Sequence, residues 1–157
     1  MIRIRAYGIP APQGSKKSFG NGYFIEASQR VMPWRESVKE AALRDYEGEP
    51  FSGPIEISIL FLFPRPKKHF GTGKNANKLK SNAPVFVTEK NKGDLEKLER
   101  AVYDGLSQSS GGTAILDDCL VVKNSNMKRY CIDGEKPGAI ISINSINSNN
   151  QPEQQNK

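Results

Sequence analysis

The chain has 157 residues and a formal net charge of +6, with a sequence pI near 9.3. This length suits one domain, and the basic balance favours an anionic partner, of which nucleic acid is the commonest. Two cysteines without a CxxC spacing and a single histidine exclude a Cys/His zinc site. No apolar run approaches the length of a membrane span, so we expect a cytoplasmic protein without a membrane partner.

The first third of the chain predicts a strand, a hairpin and a helix. Ile2 to Tyr7 alternates apolar and polar side chains, as a half-buried strand does. Asn21-Gly22 separates two short runs and favours a tight hairpin turn. Ser28 to Tyr46 predicts a helix with Pro33 in its first turn, where the missing N–H costs nothing. The buried face of this helix would be formed by Trp34, Val38, Ala41, Ala42 and Tyr46.

A longer strand is predicted from Ile55 to Phe63, ended by Pro64. Its alternate residues are apolar throughout, and Leu60 and Leu62 make the other face apolar in the second half. We therefore expect a central strand that is covered on both sides.

Residues 65–93 form a basic segment whose single acid is Glu89. Its basic residues are Arg65, Lys67, Lys68, His69, Lys74, Lys78, Lys80, Lys90 and Lys92. The segment is too long for an ordinary connection, which indicates either a functional surface or disorder. From the residues alone, phosphate contacts and an ordinary solvated loop both remain open.

A second helix is predicted from Asp94 to Leu106, with one apolar stripe formed by Leu95, Leu98, Val102 and Leu106. A Ser/Gly-rich loop follows at residues 107–113, and short strands are predicted at 119–123, 127–132 and 139–143. The tail from residue 144 is rich in Asn, Ser and Gln, which predicts disorder. We divide the chain into a folded domain at residues 1–146 and a disordered polar tail at residues 147–157.

Acidic residues occupy two places that a plain DNA-binding surface should keep free of them. Asp94 and Glu96 open the second helix, with Arg100 four residues after Glu96, and Asp117-Asp118 follows the Ser/Gly-rich loop. Carboxylates that face DNA suggest a bound cation, and magnesium prefers hard oxygen ligands. Folding the helix against the following strand could bring the two acidic places together.

Each of these residues also has an ordinary structural interpretation. Asp94 fits an N-cap, and Glu96 with Arg100 fits an exposed salt bridge. Asp117-Asp118 fits a turn before a strand. Spacing alone does not decide between these interpretations and a metal site.

The order of the segments carries a family resemblance. Asp94-Leu95-Glu96-Lys97-Leu98-Glu99-Arg100 opens the helix, Asp104-Gly105-Leu106 follows, and Asp117-Asp118 precedes Cys119–Lys123. This order resembles the RusA family of Holliday junction resolvases, whose pattern is a D-x-D-N-L-x-K-like segment, a D-x-L and paired aspartates before a strand. Pro12–Lys17 and Pro33–Arg35 resemble phage-borne members. The resemblance spans about residues 2–143.

The resemblance implies a single-domain α+β (α/β) fold with a mixed β-sheet and two main flanking helices, assembled as a homodimer. It implies magnesium-dependent paired nicking of four-way branched DNA, with manganese as a possible substitute, in a phage or prophage setting. The family's catalytic residues correspond to Asp94, Glu96, Arg100 and Asp118. The implied metal ligands are Asp94, Glu96 and Asp118, with Asp117 as an alternate. We expect DNA contacts from Lys16, Lys17, Arg65, Lys67, Lys68, Lys74, Lys78 and Lys80.

Two positions depart from the family pattern. Glu96 stands where the family has its second Asp, and Arg100 stands where it has Lys. Arginine can clamp a phosphate, yet it does not give up a proton near neutral pH. Two further functions therefore stay open: a junction-binding protein without useful cleavage, and a basic RNA- or partner-binding module whose acids are structural.

Overall fold

Alternating apolar residues build the strands of a mixed β-sheet. The computed structural model describes residues 1–14, 16–18, 24–26 and 29–149, with the backbone alone for 16–18 and 24–26. Its strands are β1 (Ile2–Tyr7), β2 (Lys16–Ser18), β3 (Phe24–Glu26), β4 (Ile55–Phe63), β5 (Val121–Tyr130) and β6 (Gly138–Ser145), and its helices of more than one turn are α1 (Val31–Asp45) and α2 (Leu95–Leu106).

The main sheet has the strand order β1-β6-β4-β5. β6 pairs antiparallel with β1 and with β4, whereas β5 pairs parallel with β4. β2 and β3 pair antiparallel with Ser18 opposite Phe24, which confirms the predicted hairpin, although Asn21-Gly22 lies outside the described residues. The predicted α+β class, mixed sheet and two main helices are confirmed.

Both helices contribute to one core against the main sheet. Ile57 and Ile59 of β4 and Ile141 of β6 are buried in the same cluster as Trp34 of α1 and Leu98 of α2. The apolar stripe predicted for α2 is confirmed, with Leu98, Val102 and Leu106 buried and Leu95 partly buried.

Gly105 lets the two helices approach closely. A Cβ there would lie 2.7 Å from Cγ1 of Val38 and 3.3 Å from the carbonyl oxygen of Arg35. A larger residue would therefore push α2 away from α1 and disturb the acidic residues that α2 carries.

The opposite face of the main sheet is polar and partly open. Ser58 pairs with Ser142 on one side and with Ser125 on the other, and Ser125 is exposed. The prediction that β4 is covered on both sides is wrong for its first half, because Glu56 and Ser58 stay half-buried. The neighbouring strands offer little apolar surface there that would favour a covering layer.

β5 is one continuous strand where two were predicted. The polar residues at 124–126 suggested a break, but they continue the parallel pairing with β4. β5 is an edge strand, so polar side chains can point to solvent without interrupting the ladder. Asn126 strengthens the pairing, since its Oδ1 accepts a hydrogen bond of 3.0 Å from the Ile59 N–H.

The basic segment is ordered, so the disordered alternative is wrong. Its backbone closes on itself through a 3.0 Å bond from Gly71 N–H to Lys78 O and a 2.9 Å bond from Lys80 N–H to His69 O. His69 is buried and contacts the edge of the Tyr130 ring, with centroids 4.7 Å apart. Among the described residues, no helix is long and apolar enough to cross a membrane.

The start of the tail differs from the prediction. β6 runs to Ser145, and the Ile146 N–H donates a 2.9 Å hydrogen bond to Pro54 O, so residues 144–146 belong to the folded domain. Residues 147–149 are exposed, and residues 150–157 lie outside the described part of the chain. The proposed domain boundary after residue 146 stays a prediction.

We expect that a chain ending at Ile146 folds with nearly the full free energy of unfolding. The removed residues bury no core side chain that the structure describes, so the change should stay within about 0.5 kcal/mol. Urea unfolding followed by circular dichroism measures it. A chain ending at Ile140 is the contrast, because it loses the buried Ile141 and Ile143 and should not fold. Loss of folding in the longer variant would contradict the boundary.

Candidate functional site

Asp94 lies at the first residue before α2 with an exposed side chain. Its backbone is extended, and its carbonyl oxygen accepts a 3.1 Å bond from Leu98 N–H. Within the described chain, its carboxylate makes no capping hydrogen bond to α2. Asp94 therefore occupies the N-cap position without using its carboxylate for capping.

The start of α2 is held by three contacts. Gly93 has a φ of +96°, and a Cβ there would lie 2.5 Å from Cβ of Pro12, so only glycine suits the position. Gln13 N–H donates a 3.0 Å bond to Lys97 O. Lys128 Nζ donates a 2.9 Å bond to Gly93 O. These contacts fix the backbone from which Asp94 projects.

Glu96 and Arg100 form the salt bridge that their spacing predicted. Arg100 Nη2 donates to Glu96 Oε1 at 2.7 Å, with side-chain exposures of 63% and 71%. Such an exposed pair contributes under about 1 kcal/mol to stability. Both side chains are therefore free to exchange this contact for a ligand at little cost.

The two adjacent aspartates have different roles. Asp117 caps a turn at Asp118–Leu120, because its Oδ1 accepts a 2.9 Å bond from Cys119 N–H, and this bond lowers the pKa of Asp117. The pKa of Asp118 is raised, first by partial desolvation and then by the neighbouring carboxylates of Asp117 and Asp104. The turn interpretation therefore fits Asp117, while Asp118 is a crowded carboxylate that a cation would relieve.

Polar side chains join α2 and β5 near Asp118. Asn124 Nδ2 donates to Tyr103 Oη at 3.2 Å and reaches Glu99 Oε2 at 3.4 Å. Burial raises the pKa of Tyr103, and the charges of Glu99 and Asp118 add to the shift. Neither Tyr103 nor Asn124 was among the site residues predicted from the sequence. A signal was present in the spacing, because Tyr103 follows Glu99 by one helical turn.

The structure does not bring the two acidic places together within one chain. Lys128, near the end of β5, contacts Gly93 at the start of α2, whereas Asp118, just before β5, interacts with Asp104 near the end of α2. Asp94 and Asp104 are ten residues apart, which is about 15 Å along a helix. Among the described residues, no group of three or more His, Cys, Asp and Glu could hold a metal ion.

Asp104 is half-buried against α1. Its Oδ2 lies 3.9 Å from Nε of Arg35, and Arg35 Nη2 donates a 2.8 Å bond to Gln13 Oε1. Arg35 thus joins the segment before the hairpin, α1 and the end of α2. It holds Asp104 in the position from which that carboxylate acts on Asp118.

The predicted DNA-contacting residues differ in exposure and in their partners. Exposed side chains without a described ion pair belong to Lys67, Lys74, Lys78 and Lys80. Lys68 is exposed but pairs with Glu89 at 3.1 Å. Arg65 is half-buried and donates to Cys131 O at 3.0 Å and to Pro84 O at 2.8 Å, which gives it a structural role in the basic segment. The side chains of Lys16 and Lys17 lie outside the described residues.

A family model described as endodeoxyribonuclease RusA matches residues 8–144. This match covers most of the chain, including the basic segment and both acidic places. The chain belongs to the RusA endodeoxyribonuclease family. The resemblance noted from the sequence is therefore confirmed, and so are the nuclease class and the fold. Among curated proteins, none matches the chain.

RusA nucleases generally use a divalent metal. The described residues gather no group of three ligands, so this chain fits a metal by donor type and not by a preformed site. The oxygen ligands that magnesium prefers are present as exposed carboxylates at Asp94, Glu96 and Asp118. The crowding of Asp118 by Asp117 and Asp104 is the arrangement that a bound cation stabilises. Magnesium commonly uses one or two carboxylates and keeps several waters, so each acidic place can supply part of a site.

Proposed function

We propose that this RusA-family chain is a magnesium-dependent, structure-specific endonuclease that resolves four-way DNA junctions by paired nicks in recombination and repair. Manganese is the expected substitute ion, and the cytoplasm is the expected compartment. One observation carries the proposal: exposed carboxylates lie at both ends of α2, with Asp94 and Glu96 at its start and Asp118 near its end, in a chain with a net charge of +6. A surface meant only to bind phosphates would not place its acids there.

The proposed roles follow from the contacts of each side chain. Asp94, Glu96 and Asp118 hold the metal, and Asp117 fixes the turn that presents Asp118, with a direct metal contact as its alternate role. A bound divalent ion supplies an activated water and neutralises charge on the scissile phosphate. Tyr103 and Asn124 are hydrogen-bonded to each other near Asp118 and order its polar surroundings.

The proposal includes a homodimer for a geometric reason. Asp94 and Asp118 lie at opposite ends of α2, so a metal site that used both would draw them from two subunits. Two subunits related by a two-fold axis would form two such sites, as paired nicks require. The oligomeric state can be measured by sedimentation, and a monomer that cuts at full rate would remove this part of the proposal.

Arg100 is proposed to stabilise charge on the phosphate. Its guanidinium already engages the Glu96 carboxylate at 2.7 Å. Arginine can clamp a phosphate with its planar fork of N–H donors, and it is not a proton donor at neutral pH. It therefore suits an electrostatic role and does not suit proton donation to the leaving oxygen. Binding of metal by Glu96 would free Arg100 for the phosphate.

The exposed lysines of the basic segment are proposed to contact the DNA backbone. We expect junction affinity to fall steeply with salt, because each phosphate contact releases counterions. Neutralising Lys67, Lys68, Lys78 and Lys80 together should flatten the slope of log affinity against log salt by up to about 0.9 per lost contact. Fluorescence anisotropy with a labelled four-way junction measures it.

The matched control for this salt titration removes two lysines from elsewhere on the surface. Lys39 pairs with Glu36 at 3.2 Å and Lys123 pairs with Glu56 at 2.9 Å, so their joint neutralisation lowers the net charge without touching the basic segment. The slope of this control should stay at the wild-type value. An unchanged slope in the four-lysine variant would show that the segment is only solvated surface.

The experiment that tests the proposed function compares a labelled four-way junction with a linear duplex of the same sequence, with and without magnesium. We expect paired nicks in the junction only when magnesium is present. Junction binding without cleavage would support the junction-binding alternative. Equal binding of junction, linear DNA and RNA, with no metal effect, would support a general basic binding module.

A further inference from the structure

Lys128 carries a half-buried side chain that reaches the start of α2. Its Nζ donates a 2.9 Å hydrogen bond to the carbonyl oxygen of Gly93. That carbonyl belongs to the peptide that joins Gly93 to Asp94, so the bond orients the peptide plane directly before the Asp94 side chain. Lys128 reaches this point from β5, where it pairs with Phe61 of β4.

The surroundings of Gly93 turn this bond into a restraint. Gly93 is in the left-handed region with a φ of +96°, and Pro12 packs against it so closely that a Cβ would not fit. Gln13 N–H binds Lys97 O on the next turn at 3.0 Å. Pro12 and Gln13 restrict the backbone on either side of the Gly93–Asp94 peptide. The hydrogen bond from the Lys128 ammonium also restricts rotation of that peptide plane.

The position of Lys128 is costly unless negative charge is present nearby. The N-terminus of a helix carries a partial positive charge, so a cation beside it is disfavoured. Asp94 and Glu96 supply negative charge at this end of α2. A contact needed only to tie a loop to a strand could be made by a neutral side chain, whereas an ammonium also brings positive charge to the end of α2 that carries Asp94 and Glu96.

We propose that Lys128 is a positioning residue of the cleavage site, which directs the Asp94 carboxylate to the metal by holding the Gly93–Asp94 peptide. The inference rests on the proposed function, since it takes Asp94 as a metal ligand. It differs from the family correspondence, in which Arg100 is the basic residue of the site. Lys128 touches the backbone directly before α2 and is not assigned a contact with DNA.

The test uses three variants of the full chain. Lys128→Met keeps an unbranched stem and removes the donors. Lys128→Arg keeps a cationic donor. Lys123→Met is the matched control, because it removes a lysine from the same strand that is 66% exposed and pairs with Glu56. The melting temperature of each variant without metal establishes that it is folded.

Three measurements separate positioning from loss of structure or charge. The first is hydrogen exchange of the Leu98 amide, which bonds to Asp94 O at 3.1 Å and reports on the first turn of α2. The second is the affinity for Mn²⁺ alone, measured by calorimetry without DNA. The third compares two effects of each substitution: the change in junction affinity, and the change in the cleavage rate of bound junction in magnesium.

We expect Lys128→Met to speed exchange of the Leu98 amide and to weaken Mn²⁺ affinity and bound-junction cleavage by about 10- to 100-fold. The change in junction affinity should be no larger than the change that Lys123→Met causes. Lys128→Arg should recover most of both losses. If Lys128→Met does not fold, Lys128→Gln takes its place in the same measurements, because it keeps a polar side chain at this half-buried position and removes the ammonium.

Wild-type exchange and wild-type Mn²⁺ affinity in the folded Lys128→Met variant would overturn the inference. So would losses that Lys123→Met reproduces, since they would reflect net charge. A wild-type chain that never cuts the junction in magnesium would defeat the proposed function instead. In that case, faster exchange of the Leu98 amide in Lys128→Met without a change in Mn²⁺ affinity would show that Lys128 only stabilises the local backbone. That result would overturn its role in positioning a metal ligand.

Discussion

Asp118→Asn abolishes junction nicking and leaves junction binding intact or tighter. The substitution keeps the size of the side chain and removes its charge, so the metal at this place loses a ligand. Metal stabilisation of a phosphoryl transition state is worth several kcal/mol, which corresponds to a rate loss of more than about 100-fold. Binding should not suffer, because Asp118 is a carboxylate crowded by Asp117 and Asp104 and repels phosphates in the absence of metal.

The measurement is single-turnover cleavage of a labelled four-way junction, with binding measured in parallel in calcium or without metal. Asp133→Asn is the matched control, since Asp133 is an exposed aspartate beyond the other end of β5. It should cut at the wild-type rate. If Asp118→Asn also nicks at the wild-type rate in magnesium, Asp118 does not belong to the site.

The sequence predicted a helix or strand well wherever its buried apolar residues recur at a regular helical or strand spacing. The 3.6-residue repeat of Leu98, Val102 and Leu106 predicted α2, and the structure buries all three side chains. The alternation from Ile55 predicted β4 with the correct ends. In both elements the repeating apolar residues face the same core. The spacing of those residues is therefore enough to predict the type and the position of each element.

β5 shows where local patterns are insufficient. Its middle is polar because an edge strand faces solvent, and that is a property of the strand order, which no local period encodes. The same holds for Arg65. Arg65 lies in a basic segment, which suggested a contact with a DNA phosphate. Its partners are instead the carbonyl oxygens of Pro84 and Cys131, which lie far away in the sequence.

The candidate site shows the same division. The residue types and their order gave a hypothesis about which acids form the site, but they did not predict the direction of α2 along β5. That direction places Asp94 near Lys128 and Asp118 near Asp104, and it separates the two acidic places. Tyr103 and Lys128 acquire their positions from this packing, and the sequence itself shows only that Tyr103 follows Glu99 by one helical turn.

Glu96→Gln cripples junction cleavage while it barely changes the stability of the metal-free protein. The substitution keeps the size and removes the charge that a magnesium ligand must carry. Loss of the exposed bridge to Arg100 should lower the free energy of unfolding by less than about 1 kcal/mol. A cleavage loss of more than about 100-fold would therefore exceed anything that the bridge itself explains.

Glu96→Asp is the complementary variant. It keeps the charge, shortens the reach by one methylene and introduces the residue of the family pattern. It should retain activity, because the charge is what a ligand requires, and its magnesium midpoint reports how well the shorter side chain reaches the ion at about 2.1 Å. A higher rate than wild type would indicate that the backbone at the start of α2 is placed for aspartate.

The control for Glu96 is Glu36→Gln on α1. Glu36 forms a comparable exposed helical bridge with Lys39 at 3.2 Å, so it reports the effect of removing such a pair away from the site. All variants are compared in a magnesium titration of cleavage at fixed junction concentration. If Glu96→Gln keeps the wild-type midpoint and rate, Glu96 is only a partner of Arg100, and the metal is then held by Asp94 and Asp118 without it.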